Sequence, residues 1–286
     1  MTQMGDWNVV LGAKKYRVQP SWACWPGGHP LATLSQVAVD SHGRVYALLR
    51  SDPPIVVFEP DGRYVMTIGD GLILDSHGIS VDPQDRIWVV DRDAHQLVAF
   101  DREGHVITRL GSRGEPRLGL PFNHPSDVAF APDGEIYVSD GYGNARVHRF
   151  SPSGQHIDSW GEPGRGPGQF STPHAVWVDK LDRVLVADRE NDRVQVFDRE
   201  GTLLTIWDDV YRPMDIFETS EGILVSDQVP RVTLFGHDGQ VLGRCRPVLN
   251  GAHGIWGSPD GSIYCAEMVP PRLTRLEPLS AVLDAP

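Results

Sequence analysis

The sequence predicts an all-β fold, a six-bladed β-propeller occupying residues 1–286 as one domain. Three observations predict it: a strand–turn–strand frame that recurs along the chain, turn chemistry at fixed places in that frame, and a last unit one strand short. The frame is clearest where Gly78 to Asp91 is laid over Ala175 to Asp188, and it returns over Val37 to Leu49, Asp127 to Asp140, Asp215 to Asp227 and Gly254 to Glu267.

The elements follow in order. The first run of each frame is apolar and closes on a turn such as Pro132-Asp133-Gly134 or Pro259-Asp260-Gly261; a second apolar run follows. The third run is Gln96 to Phe100 in one unit and Arg193 to Phe197 in another. A second turn comes next, at Asp61-Gly62, Glu103-Gly104, Ser153-Gly154, Glu200-Gly201 and Asp238-Gly239. A fourth run then ends at Gly69, Gly111 or Gly161. Short runs rich in Val, Ile and aromatics, bounded by Gly, Asp and Pro, are strands. Four strands per unit at a period of about 40–50 residues is the propeller pattern. The last unit, from His253, has three strands, and Trp7 to Gly12 reads as the missing fourth. The N-terminal strand is therefore expected to close the last blade, which removes an exposed sheet edge. Glu162 to Gly168 is Gly/Pro-rich but lacks the Gly-Lys-Ser/Thr of a phosphate loop, so it is a surface crossing. Trp22 and Trp25 are expected to anchor the loop entering blade one.

Composition narrows the function. With 286 residues, 40% hydrophobic, a sizeable core is affordable. The net charge of -12 repels phosphate backbones and anionic lipid, so neither nucleic acid nor a membrane is an expected partner. Three cysteines, Cys24, Cys245 and Cys265, do not make a disulfide framework and suit a reducing compartment. Met1 to Trp22 has no apolar core of a signal peptide, and no run is long enough to span a bilayer. The expectation is a cytoplasmic protein; nothing in the sequence sets its oligomeric state.

One column of the repeat carries chemistry. Just before the first strand the six units hold Ser35, His77, Ser126, His174, Met214 and His253. Histidine fills blades two, four and six. Alternate blades lie about 120° apart, and first strands line the central channel, so three such side chains at one level face a common axial point. Three neutral imidazoles around an open fourth position are the protein half of a catalytic zinc site. One divalent transition-metal ion per chain is expected; imidazole favours zinc, with iron, cobalt and copper open. Repeat duplication alone would place histidines in adjacent blades as readily as in alternate ones. The remaining histidines are read as turn or core residues: His42, His105, His156 and His237 sit in or beside turns, and His29, His95 and His148 have no partner in the pattern. His124, two residues before a slot, is the one of them closest to the column.

A second column follows the second strand: Arg50, Arg92, Gly141, Arg189, Gln228 and Met268, with Tyr142 one residue further in blade three. Arginine clamps a carboxylate bidentately, and a tyrosine beside a metal can move a proton. Asp91-Arg92 and Asp188-Arg189 are also what structural ion pairs look like, and Arg92 is read that way. Blade one has Leu49 where blade two has Asp91, which leaves Arg50 without that partner.

At these residues the chain resembles the peptidyl-α-hydroxyglycine α-amidating lyases, propellers of the NHL-repeat type. The resemblance is carried by Val138 to Arg146 with Phe150 to Gly154, by Pro167 to His174 and by Val186 to Arg193, and the frame covers nearly the whole chain. It implies zinc on His77, His174 and His253, a catalytic Tyr142, and active-site Arg50 and Arg189. It also implies cleavage of an N-acylated α-hydroxyglycine to an amide and glyoxylate. There are departures. Gly251-Ala-His-Gly254 lacks the family's methionine before the third ligand and the aspartate after it. That aspartate helps hold a structural calcium, which is therefore not expected here. The family's disulfides cannot form from these three cysteines, and no fused monooxygenase domain is expected before the propeller, so peptide-hormone amidation is not expected. The expected function is a metal-dependent lyase on a small carboxylate-bearing α-hydroxy acid. Metal-hydroxide hydrolysis at the same site and a non-enzymatic NHL protein-binding scaffold are the alternatives.

Overall fold

The computed structural model describes residues 7–27, 32–248 and 250–279; His29 lies outside them. Six sheets form six blades. Blade one runs Leu34–Val39, Val45–Leu49, Ile55–Phe58 and Tyr64–Ile68, and blade two Ser76–Val81, Ile87–Asp91, Gln96–Phe100 and Val106–Gly111. Blade three runs Asp127–Phe130, Ile136–Asp140, Arg146–Phe150 and His156–Trp160, and blade four Pro173–Val178, Val184–Asp188, Arg193–Phe197 and Leu203–Trp207. Blade five is Pro213–Thr219, Gly222–Asp227, Val232–Phe235 and Val241–Cys245. Neighbouring strands are antiparallel throughout, as hairpin connections require. Second and third strands are packed on both faces; Val45–Leu49 and Gln96–Phe100 are buried at every position. Outer strands such as Val106–Gly111 face water, which is where the pattern turns polar.

Closure differs in detail from the sequence expectation. The last sheet has five strands: Ala252–Gly257, Ile263–Met268 and Pro271–Pro278 from the C-terminal end, then Lys14–Gln19, then Asn8–Leu11. The N-terminal region does close the blade, but Lys14–Gln19 takes the fourth place, with Val18 opposite Leu276. The run at Trp7 to Gly12 is a fifth strand, turned back on Lys14–Gln19. Its buried Leu11 belongs to the cluster of Val232 and Leu234 in blade five, so it seals the seam between blades. A polar strand, Lys-Lys-Tyr-Arg-Val-Gln, fills the fourth place because only Tyr16 and Val18 need to point inward.

Trp22 packs edge-on against Phe58 and Tyr264, and Trp25 against Phe58, so both anchor the loop entering blade one. At the end of the channel remote from the histidines, the rings of Trp177, Phe217 and Trp256 meet at 4.9–5.5 Å. They line that end of the channel on the side of blades four to six, beside a cavity of about 280 Å³ bounded by Val39, Val81, Phe130 and Trp177. No helix among the described residues is long and apolar enough to cross a membrane.

Candidate metal centre

The column residues owe their inward aim to a local irregularity. At Ser76/Gly78, Pro173/Ala175 and Ala252/Gly254 the ladder with the second strand skips one residue, and the residue skipped is His77, His174 or His253. Blades one and five skip at Ser35 and Met214 in the same way. A bulge turns a side chain out of the strand's alternation, and here it turns it toward the axis. The histidines are thus the second residues of the first strands, where the sequence pattern places them just before the strand.

The three rings meet on the axis with centroids 4.9–5.4 Å apart. One ring nitrogen from each lies within 4.8 Å of the others, and all three residues are buried. The other nitrogen is committed. His77 Nδ1 is 2.7 Å from the Ser126 carbonyl, His174 Nδ1 2.6 Å from that of Met214, and His253 Nδ1 2.7 Å from that of Ser35. A carbonyl only accepts, so each Nδ1 carries the proton and each Nε2 is left with a lone pair, which in His77 accepts from the Tyr142 hydroxyl. The odd-numbered blades therefore use the same column to fix the tautomers of the even-numbered ones. Burial holds all three imidazoles below their ordinary pKa, His253 at about 3; neighbouring histidines add to this for His77 and His174, Arg50 for His77 and His253, and Arg189 for His174 and His253. They are neutral at physiological pH, as ligands must be. His174 Nε2 is buried without a hydrogen-bond partner. An orphaned buried acceptor is costly, and a cation at the axis would satisfy it. The donor set fits one divalent transition-metal ion.

A second axial layer, not anticipated from the sequence, lies immediately below. The residue after each slot is Gln36, Asp127 or Asp215 in the odd blades and Gly78, Ala175 or Gly254 in the even ones. Gln36 accepts from Ile79 N at 2.8 Å, Asp127 from Val176 N at 3.1 Å and Asp215 from Ile255 N at 2.7 Å, so each side chain reaches the next blade. The small partners make the room: a Cβ on Gly254 would stand 2.6 Å from the Gln36 side chain. Gln36 also donates to Asp215 at 3.0 Å. Burial holds the Asp127 carboxyl well above its ordinary pKa, reinforced by the charge of Asp215, and pushes Asp215 up to about 7. The alternation of polar and small residues in this column was the signal that could have revealed the layer.

The second column forms the mouth. Tyr142 N bonds the His124 carbonyl just as Arg50, Arg92 and Arg189 N bond Thr33, Asp75 and Thr172. By that criterion Tyr142, rather than Gly141, is blade three's member of the column. Gly141 permits this because a Cβ there would lie 2.2 Å from the Pro173 carbonyl oxygen. The Tyr142 hydroxyl is 2.8 Å from His77 Nε2 and accepts from Arg189 Nη1 at 3.2 Å. Its ring lies between the guanidiniums of Arg92 and Arg189, at 5.3 and 5.4 Å.

The arginines divide their work. Arg92 pairs with Asp75 at 2.6 Å and Asp93 at 2.8 Å, not with Asp91, which caps Leu74 N and Asp75 N and accepts from Gln96. Asp188 likewise holds Arg193 at 2.8 Å, while Arg189 pairs with Glu190. Arg50 is half-buried, its Nε is without a partner, and its side chain forms no ion pair among the described residues. His124 stays outside the trio, stacked edge-on against His95 with centroids 4.3 Å apart.

A propeller whose alternate blades converge three histidines on the axis beneath a Tyr/Arg mouth defines a class of propeller with a three-histidine axial site. The NHL repeat profile matches residues 77–100, 122–150 and 170–197. NHL repeat-containing protein 3 of Homo sapiens is 31% identical over 264 residues, which cover 87% of this chain and 72% of that protein. The chain belongs to the NHL-repeat family. Within it, the chain is 34% identical to peptidyl-alpha-hydroxyglycine alpha-amidating lyase 1 of Drosophila melanogaster over 154 residues, 49% of this chain and 28% of that one. It is 31% identical to peptidylglycine alpha-amidating monooxygenase of Rattus norvegicus over 297 residues, 85% of this chain. It spans only 30% of that monooxygenase's length. Among solved structures a streptogramin B lyase superposes with TM-score 0.69 at 12% identity, covering 92% of this chain and 98% of that one, a likeness of fold.

Proposed function

We propose that this protein is a metal-dependent lyase that cleaves a small N-acylated α-hydroxy acid into glyoxylate, or a related oxo acid, and an amide. The observation that carries the reading is the convergence of three buried, neutral imidazoles whose Nδ1 protons are tied to backbone carbonyls. His77, His174 and His253 would hold one divalent ion, zinc by the preference of imidazole. Such an ion supplies Lewis acidity, making a coordinated hydroxyl easier to deprotonate.

The chain's own residues do the rest. The reaction breaks the carbon–nitrogen bond as the hydroxyl oxygen becomes a carbonyl; one proton leaves that oxygen and one reaches the departing nitrogen. Tyr142, held by Arg189 at the rim of the site, is placed to make both transfers in turn. Arg50, with no acid of its own, receives the substrate carboxylate. Arg189 orients the phenol and offers a second cationic donor.

The test is metal analysis of the purified protein together with a panel of N-acyl-α-hydroxyglycines read by glyoxylate release. About one ion per chain and histidine-dependent glyoxylate are expected. Hydrolysis of simple esters, lactones or amides with no glyoxylate would replace the lyase by a metal-hydroxide hydrolase. Absence of both metal and turnover would leave an NHL scaffold.

A further inference from the structure

Next to Tyr142 lies a groove of about 340 Å³ that the metal chemistry does not use. One wall is Gly141 to Ala145 of blade three; the other is the crossing from Pro163 to Arg165 and the segment Phe170 to Thr172 leading into blade four. In a six-fold ring blade four stands opposite blade one, so Arg50 and this groove face each other across the axis. A substrate whose carboxylate meets Arg50 and whose hydroxyl lies over the histidines must send its amide past Tyr142, into this groove.

The groove mixes apolar wall, with Ala145, Pro163 and Phe170, and polar groups, and it carries a free cation. Arg165 is exposed at its edge, with no hydrogen bond or ion pair among the described residues, although the chain carries 38 acidic residues against 26 basic ones. The hydroxyls of Ser171 and Thr172 also have no hydrogen-bond partner among the described residues. Thr172 has φ +60°, an unfavourable conformation for a β-branched residue. Its carbonyl holds Arg189 N, and it stands two residues before His174, so the strained residue joins the groove to the site. A volume at the low end for ligand pockets suits a short group.

Resting on the lyase reading, we infer that the groove between blades three and four binds the acyl half of the substrate, and that Arg165 selects acyl groups ending in a carboxylate. The preferred substrate is then a half-amide of a short dicarboxylic acid, anionic at both ends. Two pairs of compounds test it. N-succinyl- and N-butyryl-α-hydroxyglycine are near-isosteric and differ in the distal carboxylate; N-succinylglycine and N-butyrylglycine are their unreactive counterparts for calorimetric binding to the metal-loaded protein. The succinyl compound is expected to have kcat/KM about three- to five-fold higher, the scale of one exposed ion pair. Arg165→Ala should bring that ratio to about one and Arg165→Glu should invert it. Arg165→Lys should keep most of it. Turnover of both substrates with no preference, or a preference that survives Arg165→Glu, overturns the inference while sparing the lyase. If neither substrate reacts yet N-succinylglycine binds more tightly than N-butyrylglycine in an Arg165-dependent way, the groove stands and the lyase reading falls. Absence of both turnover and binding removes both.

Discussion

The Tyr142 hydroxyl stands 2.8 Å from Nε2 of His77, so a group able to move a proton touches a ligand of the axial site directly. Tyr142→Phe should therefore lower turnover by about 10²-fold or more, the scale of one proton-transfer group, while metal content stays at the parent level. Elemental analysis beside glyoxylate kinetics checks it. Loss of the metal would make Tyr142 a ligand.

Metal retention should follow the geometry of the trio. His77→Ala, His174→Ala and His253→Ala should each lose most of the bound ion, because two imidazoles remain where three converged. His105, hydrogen-bonded to Asp101 in an exposed turn, is the control, and His105→Ala should keep it. Equal retention in all four proteins would dismiss the axial site.

Asp75 pairs with Arg92 and also feels the charge of Arg50. Arg50→Ala should lower kcat/KM by roughly 2–4 kcal/mol, the scale of a donor lost from a developing charge. Arg92→Ala should also lower it, because Asp75, released from its 2.6 Å pair, becomes free to neutralise Arg50. Arg92→Ala with Asp75→Asn should recover part of that loss. A double variant no better than Arg92→Ala alone would show that Arg92 acts by another route.

Ring closure can be dissected from the N-terminus. Removing residues 1–12 takes away only the fifth strand, but with it buried Leu11, so a loss of about 2–4 kcal/mol is expected, as for Leu11→Ala. Removing residues 1–20 strips the fourth strand as well and leaves Pro271–Pro278 unpaired at an edge, so insolubility is expected. Equal melting temperatures for the two truncations would contradict the strand order.

The buried carboxyl of Asp215 makes a pH prediction for metal-free protein. Its folded pKa, about 7, lies above the unfolded value, so the native state holds the proton longer. Stability is then fully present below the unfolded carboxyl pKa and is lost as pH rises through about 7. The histidines have the opposite sense, lowered in the fold, and by pH 6.5 most of their contribution is in place. Between pH 6.5 and 8 the chelated parent should lose about 1 kcal/mol that Asp215→Asn does not lose. Parallel slopes for the two proteins, measured by thermal melts, would assign the titration elsewhere.

Repetition is what made this protein readable. Strand alternation and Gly/Asp/Pro turns are local properties, and six copies of a local signal set blade number and the rough position of each strand. The histidine column was legible for the same reason: equal positions in equivalent blades stand at equal heights on one axis, so His77, His174 and His253 had to converge. Relations between blades were not legible in that way. That the carbonyls of Ser126, Met214 and Ser35 fix the imidazole tautomers depends on a bulge in each first strand and on the stagger of neighbouring blades. That Arg92 holds Asp75 and so leaves Arg50 free depends on where a loop folds over the rim. The order of the two N-terminal strands was decided by packing against blade five: an apolar run fits the seam, and a polar strand suffices where one face meets water. Periodicity encodes what each residue does within its own blade. Contacts across blades arise only when the ring closes, because only then do residues far apart in the chain share one axis.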